Sequence, residues 1–411
     1  MFDIDVNSAF LSWEAVYRLH HLNGKLDLRE IPSAIGGDSK KRHGIILAKS
    51  ILAKKFGIKT GESIVEALIK CPELYLAPPN YNLYQKCSDN FISILKEYSP
   101  EVEQYSIDEA FVDMTGMKSL YKKDPLALAN EMKDRIKKEL GFTVNIGVSS
   151  NKLLAKMASD FEKPDKIHSL FLHEIEKMWR LPVGDLFYVG RSTTKKLYNL
   201  GIRTIGDLAK SDVEILKSHL NKHGEIIWNY ANGIDETPVI SNGVANKGYG
   251  NSTTVSFDVT DKETASDILL ALAETVASRL RKDDVKAQVI SISIKDNNFQ
   301  TMSHQMTMLN ATNNTIVIHQ AAVKLFDELW NQNPIRLLGI STSRIENENT
   351  FTQLNLFNTK DIDKTHRLNK AIDEIRGRYG IDSIKRATFL NNKIDHLSGG
   401  ISREKRQVDY N

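Results

Sequence analysis

The order of strand-forming and helix-forming segments is the tightest constraint on this chain, because a related order occurs in both halves. From Ser252 the sequence reads as strand Ser252 to Val259, helix Thr264 to Arg281, strands near Val289 and Met306, helix Thr315 to Trp330 and strand Arg336 to Arg344. Helices that cross between strands of one sheet leave few packings open. Within the first of these helices Ile268, Leu272, Val276 and Leu280 recur every four residues, which lays one apolar stripe against the sheet. The N-terminal half opens with a strand at Phe2 to Val6 and an apolar, aromatic helix from Ser8 to about His20. A short helix over Lys49 to Phe56 ends at Gly57, and a helix from Tyr81 to Tyr98 precedes an acidic hairpin, Val102 to Met114. Helix Pro125 to Leu140, strand Thr143 to Val148 and helix Asn151 to Phe161 complete that half, which reads as one mixed sheet covered on one face.

Between the halves a small helical unit fits Glu174 to Gly233, and the turn-rich stretch Asp235 to Gly250 reads as a linker. A length of 411 residues therefore suits several domains. Hydrophobic residues at 41% and charged residues at 26% are those of a globular chain, which excludes wholesale disorder, collagen-like repeats and a disulfide scaffold. No apolar run approaches the roughly 18 residues needed to cross a bilayer, so no membrane partner is expected. The opening residues Met1-Phe2-Asp3-Ile4-Asp5 lack the basic and then apolar pattern of a secretory signal. Cys71 and Cys87 are too few for a zinc site, and a reduced cytoplasmic compartment is the expectation. The net charge of +3 does not itself demand a nucleic acid, but its distribution is uneven. Asp38 to Thr60 holds seven cations (Lys40, Lys41, Arg42, Lys49, Lys54, Lys55, Lys59) against one acid, and Phe351 to Asn411 holds twelve against eight. Either stretch is a solvated face or a seat for a polyanion.

The acids carry the chemistry. Asp5 ends the opening strand, and Asp108-Glu109 lies among the strand formers of Tyr105 to Asp113. Three carboxylates gathered without a cation repel one another. Oxygen ligands suit Mg2+, and two such ions about 3.5 to 4 Å apart can hold both the attacking and the departing oxygen of a phosphoryl transfer. From spacing alone, turn acids at a hairpin tip fit Asp108 and Glu109 equally well. Asp3 and Asp113 are set aside, Asp113 as the cap of the turn at Thr115-Gly116. Gly36-Gly37-Asp38-Ser39 superficially matches a palm-type nucleotide cyclase but lacks the following acid.

Three ordered segments decide between these readings. Asp5-Val6-Asn7-Ser8-Ala9-Phe10-Leu11-Ser12-Trp13-Glu14, Ser106-Ile107-Asp108-Glu109 and Gly147-Val148-Ser149-Ser150-Asn151-Lys152-Leu153-Leu154-Ala155-Lys156 resemble the catalytic segments of Y-family translesion DNA polymerases. The likeness covers nearly the whole chain and is nearest the UmuC type, with DinB more distant. DinB-type enzymes carry a tyrosine three residues before the finger cation, where this chain has Ile51.

The resemblance implies an α+β right hand. Its palm would be residues 1–8 and 80–165, its fingers 9–79, its helical thumb 166–235 and, after a linker at 236–247, its β-α-β-β-α-β little finger 248–350. It implies a low-fidelity, template-directed polymerase of the damage (SOS) response that takes primer-template DNA and deoxynucleoside triphosphates. Asp5 and Asp108 would bridge two Mg2+ ions, with Mn2+ possible, while Glu109 completes one site and the Val6 carbonyl the other. Lys54 matches the finger cation that binds phosphate, and Lys152 opens a helix where backbone N–H groups favour anions. Both are otherwise ordinary surface lysines. Phe10 matches the ring that excludes a ribose 2′-hydroxyl, with small Ala9 before it; core packing is the other reading of Phe10.

Two further segments point to partners. Val189 to Leu197 followed by Leu200 to Leu208 resembles a helix-hairpin-helix, whose turn at Gly190, Arg191 and Ser192 would present N–H groups to a DNA phosphate. A packed helical hairpin is the bland alternative. Gln353-Leu354-Asn355-Leu356-Phe357 looks like the peptide that binds the bacterial β sliding clamp, through Gln353, Leu354, Leu356 and Phe357. The tail 358–411 has no assigned role beyond a helix at Leu368 to Tyr379. The rival functions are a non-catalytic DNA- and clamp-binding accessory and a palm-type cyclase.

Overall fold

The computed structural model describes residues 1–37, 44–241, 243, 245–348, 359–390, 394 and 396. Its N-terminal elements are β1 (Phe2–Val6), α1 (Ala9–His21), β2 (Ser33–Gly36), β3 (Ile46–Lys49), α2 (Ile51–Lys55), α3 (Ile64–Lys70), β4 (Tyr75–Ala77) and α4 (Tyr81–Tyr98). There follow β5 (Val102–Gln104), β6 (Glu109–Val112), α5 (Lys118–Tyr121), α6 (Pro125–Leu140), β7 (Val144–Val148), α7 (Lys152–Ser159) and β8 (Ile167–Ser169). Five helices come next, α8 (Glu176–Trp179), α9 (Arg191–Asn199), α10 (Ile205–Ala209), α11 (Val213–Leu220) and α12 (Lys222–Ala231). The last elements are β9 (Gly248–Val259), α13 (Lys262–Lys282), β10 (Val285–Asp296), β11 (Thr301–Thr312), α14 (Thr315–Leu329), β12 (Ile335–Asn347) and α15 (Thr359–Tyr379).

The first sheet runs β5-β6-β1-β7-β8 and is mixed, since only β7 and β8 pair in parallel. Side chains alternate across it. Phe2, Ile4 and Val6 of β1, with Ala110, Val112, Val144, Ile146 and Val148, face a core closed by α4 and α6. Asp3 and Asp5 point the other way, as do their cross-strand partners Glu109, Phe111, Asn145 and Gly147. That second face is also covered, contrary to the expectation of one covered face. Helix α7 lies so close to it that a Cβ on Gly147 would stand 1.8 Å from the Ala155 carbonyl oxygen. Apolar periodicity could not announce this packing, because what α7 meets there is polar. Strand β8 pairs with β7 through Ile146↔Ile167, so the sheet continues past residue 165, where the thumb was expected to begin.

A second, small sheet, β3-β2-β4, carries α2 and α3 on a core of its own that includes Ile46, Ile58, Ile64 and Leu74. Helices α8 to α12 share their core with Leu153, Leu154 and Met157, so the helical unit is seated on α7.

The third sheet has the order β11-β10-β12-β9 and is antiparallel throughout. Ile290, Ile292 and Ile294 meet the predicted stripe Ile268, Leu272, Val276 and Leu280 on one face. On the other, Ser291 stands between Gln305 and Ser341, and Ser293 between Ser303 and Gly339, a surface of small neutral groups. The tail helix expected from Leu368 begins at Thr359 and is built into this domain. Arg281 pairs with Asp373 at 2.5 Å, and buried Glu274 takes Arg376 at 3.0 Å and also Arg386. Phe389 and Ile394 enter the domain core, so the tail does more than keep the chain in solution. Gln353, Leu354, Leu356 and Phe357 lie outside the described residues, as do Asp38, Ser39, Lys40, Lys41 and Arg42.

Candidate active site

The site is built where β1 turns into α1. Val6 N donates to the Asp108 carbonyl at 2.9 Å and Asn7 N to that of Thr143 at 3.0 Å, which locks the strand end between its neighbours. Ser8 then takes the left-handed conformation, φ 48° and ψ 48°, as the N-cap of α1. A non-glycine residue there costs on the order of 1 kcal/mol. In exchange the chain turns from strand to helix in one step, and Ala9 and Phe10 face the same cleft as Asp5. This cleft, of about 490 Å³, is lined by Asp5, Val6, Ala9, Phe10 and Asp108 on one side and by Lys49, Ile51, Lys54 and Thr60 on the other, with Arg29 and Lys163 at its edge.

Asp5 and Glu109 are cross-strand neighbours, and Lys156 Nζ of α7 stands 3.0 Å from Asp5 Oδ2 and 3.1 Å from Glu109 Oε1. The two carboxylates therefore lie within about 6 Å of each other. Lys163 Nζ approaches Asp5 Oδ2 to 2.8 Å. Burial alone would raise Asp5, but the charges of Lys156 and Lys163 outweigh it and hold Asp5 below the usual carboxylate value. Burial raises Glu109, helped by the charge of Asp5, against the pull of Lys156. Asp3, set aside from sequence, lies fully buried beneath them on Ser159 Oγ at 2.5 Å, and burial holds it well above the usual value. Asp108 accepts from Ser106 Oγ at 2.6 Å and lines the cleft. Asp113 caps Thr115 N at 2.8 Å, as its position predicted.

Among the described residues no three His, Cys, Asp or Glu side chains stand close enough to hold a metal ion as they are. The donor set nevertheless fits a hard divalent cation. Its atoms are all oxygens, and two of its carboxylates already share a monovalent cation, Lys156 Nζ.

Phe10 lies flat on Tyr84, centroids 4.5 Å apart and planes 11° apart, and meets Tyr81 edge-on at 5.9 Å. The ring is therefore packed as a core residue would be, and it also lines the cleft. Lys54 faces the cleft beside Lys49, whose pKa is lowered first by burial and then by the charge of Lys54. Two crowded ammoniums facing one cavity store a repulsion that an anion would relieve. Lys152 is not brought there. Its Nζ pairs with Glu103 at 2.8 Å and lies 5.0 Å from the centre of the Phe111 ring, so its expected nucleotide role is not met by its position. One helical turn on, Lys156 reaches the acids instead. Lys156, Lys163 and Arg29 escaped the sequence reading; the spacing of Lys152 and Lys156, which shares one helix face, was the available signal.

In the helical unit Gly190 is the N-cap of α9, and among the described residues no side chain caps that turn. The first N–H groups of Arg191 and Ser192 are thus open to a ligand. Arg191 lines a cavity of about 660 Å³ with Lys59, Thr60, Glu62, Glu66 and Lys70, across from the second sheet.

The sequence profile of the impB/mucB/samB family matches residues 4–160, that of its C-terminal domain residues 246–356, and one described as DNA polymerase-iota thumb domain residues 184–235. The fold is that of a Dbh–Dpo4 Y-family DNA polymerase chimera, with a TM-score of 0.71 at 19% identity over 84% of this chain and 99% of that one. The chain belongs to the impB/mucB/samB family of Y-family DNA polymerases. Its relatives include DNA polymerase IV of Clostridium acetobutylicum, 46% identical over 95% of this chain and 98% of that protein. DNA polymerase IV 1 of Bacillus subtilis is 36% identical over 97% and 95%. These relatives are DinB-type, so the assignment to the UmuC type is overturned. It leaned on Ile51, which is 49% exposed at the cleft rim, where no packing dictates the side chain.

Proposed function

We propose that this chain is a template-directed, low-fidelity DNA polymerase that extends primers past damaged bases by two-metal-ion nucleotidyl transfer. The observation that carries the reading is one cleft wall on which Asp5, Asp108 and the Phe10 ring stand together, opposite Lys54 and Lys49. In the reaction the primer 3′-hydroxyl attacks the α-phosphorus of a deoxynucleoside triphosphate, and pyrophosphate leaves. Asp5, Asp108, Glu109 and the Val6 carbonyl would hold two Mg2+ ions, which supply the positive charge that both reacting oxygens need. Lys54, Lys49 and Lys163 bind the triphosphate, whose charge grows on the leaving group. Phe10 and Ala9 form the floor under the sugar, where Phe10 excludes a 2′-hydroxyl. Lys156 draws Asp5 and Glu109 together and offsets part of their charge.

The open N–H groups at Gly190, Arg191 and Ser192 take a phosphate of the duplex, and the hydroxyl face of the third sheet takes its backbone without reading bases. Residues Gln353, Leu354, Leu356 and Phe357 tether the enzyme to the β sliding clamp, which raises its effective concentration at the primer end.

Primer extension on an undamaged template with Mg2+ tests the reading. Asp108→Ala and Glu109→Ala are each expected to lower incorporation by about a hundredfold or more. Variants that extend as well as the wild type would remove the two-metal assignment. A wild-type chain that binds primer-template yet never extends it would leave the accessory reading in its place.

A further inference from the structure

We propose that Tyr105, Tyr188 and Tyr230 form a platform for the primer strand, on which the sugars of its last nucleotides rest while the phenol hydroxyls donate to the phosphates between them. The proposal rests on the polymerase reading and adds positioning residues to it. Tyr105 opens the turn that carries Asp108, and its N–H, like that of Ser106, donates to the Glu109 carbonyl, at 3.0 and 3.1 Å. Tyr188 stands two residues before Gly190, the N-cap of α9. Tyr230 lies at the end of α12. Phe187 joins them, 5.9 Å from Tyr105 and 5.0 Å from Tyr188, and Tyr188 meets Tyr230 edge-on at 5.7 Å.

A seam that only glued the helical unit to the first sheet would bury its rings. Phe187 is partly buried against the core of the helical unit, but Tyr105 and Tyr188 are 44% and 53% exposed. Tyr188 is also held at φ 75°, a backbone conformation that disfavours a bulky residue and that glycine adopts freely. Strain kept at a half-exposed aromatic residue marks a position where the ring itself is used.

The rings lie between the turn that carries Asp108 and the start of α9, where the polymerase reading would put the primer 3′ end and a phosphate further back. A strand running from one to the other crosses them. Aromatic faces pack on the apolar side of deoxyribose, and phenols donate to phosphate oxygens, contacts that hold register without reading sequence. Burial, then the charge of Asp235, pushes the Tyr230 phenol up to about 12, so it remains a donor.

The test uses the full chain, a primer-template and single-nucleotide incorporation, with KM measured separately for primer-template and for the triphosphate. Tyr188→Gly removes the ring and relieves the backbone. It is expected to unfold no earlier than the wild type, to raise KM for primer-template about tenfold and to leave KM for the triphosphate unchanged. Tyr188→Phe and Tyr105→Phe keep the rings and are expected to lose the hydroxyl share alone. A primer with one uncharged methylphosphonate at its second or third linkage should bring the wild type down to the Tyr188→Phe value. An unchanged KM for primer-template in Tyr188→Gly overturns the platform, as does a loss of folding with both KM values moving together. A wild type that extends no primer overturns the polymerase reading itself, and the platform with it.

Discussion

One ammonium answers two carboxylates at the heart of this site, and a third acid lies beneath them. Lys156 Nζ is within 3.1 Å of both Asp5 and Glu109, and Asp3 sits on the same sheet face. Lys156→Ala leaves Glu109 without its cation and Asp5 with Lys163 alone. We expect it to unfold earlier than the wild type in EDTA and to regain part of the difference when Mg2+ is added, read by thermal melts with and without the ion. Equal melts in both buffers would remove the divalent cation from the site. Phe10 gives the second prediction. Its ring is held flat by Tyr84 at 4.5 Å, so it cannot swing aside for an extra hydroxyl. Phe10→Ala is expected to raise ribonucleotide relative to deoxynucleotide incorporation by about 10- to 100-fold, measured as a ratio of kcat/KM. The sequence motif pointed to Asp5, Asp108, Glu109 and Phe10 because each lies within a few residues of the others in its segment. Lys163 lies just past the end of the predicted helix Asn151 to Phe161, outside the three motif segments.

Helix α7 shows how an element can be legible while its packing is not. Its span was close to the expected Asn151 to Phe161, and its dense apolar residues read as core. Which cation it would offer the sheet depended on rotation, and the close approach at Gly147 sets that rotation. Lys156 thereby reaches the acids while Lys152, at the start of the helix, goes to Glu103. Helix α15 makes the same point at the other end of the chain. Its basic composition looked like a solvated tail, yet Arg376 and Arg386 converge on Glu274, which is only 4% exposed. Breaking such a buried group on one side strands the other. Glu274→Ala is expected to destabilise the C-terminal domain by about 3 kcal/mol in urea unfolding and to expose α15 to proteolysis. A change within 0.5 kcal/mol, as roughly expected of an exposed surface site, would return the tail to the role of a solvated appendage.

Across the whole molecule three sheets and a helical unit divide the labour: acids on the first, cations on the second, an open helix start between, and a hydroxyl face on the third. The peptide Gln353 to Phe357 joins that last domain to α15. Deleting it should spare distributive synthesis and abolish stimulation by the clamp in a primer-extension assay with the loaded ring. Undiminished stimulation would place the tether elsewhere. The element order, the twofold use of crossover helices and the three acidic segments could be read from the chain, because strand and helix periodicity and short motifs are local properties. Local patterns also separated Asp113, which caps a turn two residues away, from the acids of the site. Long-range placement could not be read in this way. Covering of the acidic sheet face, the exchange of Lys152 for Lys156, the gathering of three tyrosines from two turns and a helix and the anchoring of the tail on Glu274 all arise between residues far apart in sequence. They are decided by which buried charge finds an opposite within about 3 Å and which backbone approaches need no side chain, and only the folded chain settles those distances.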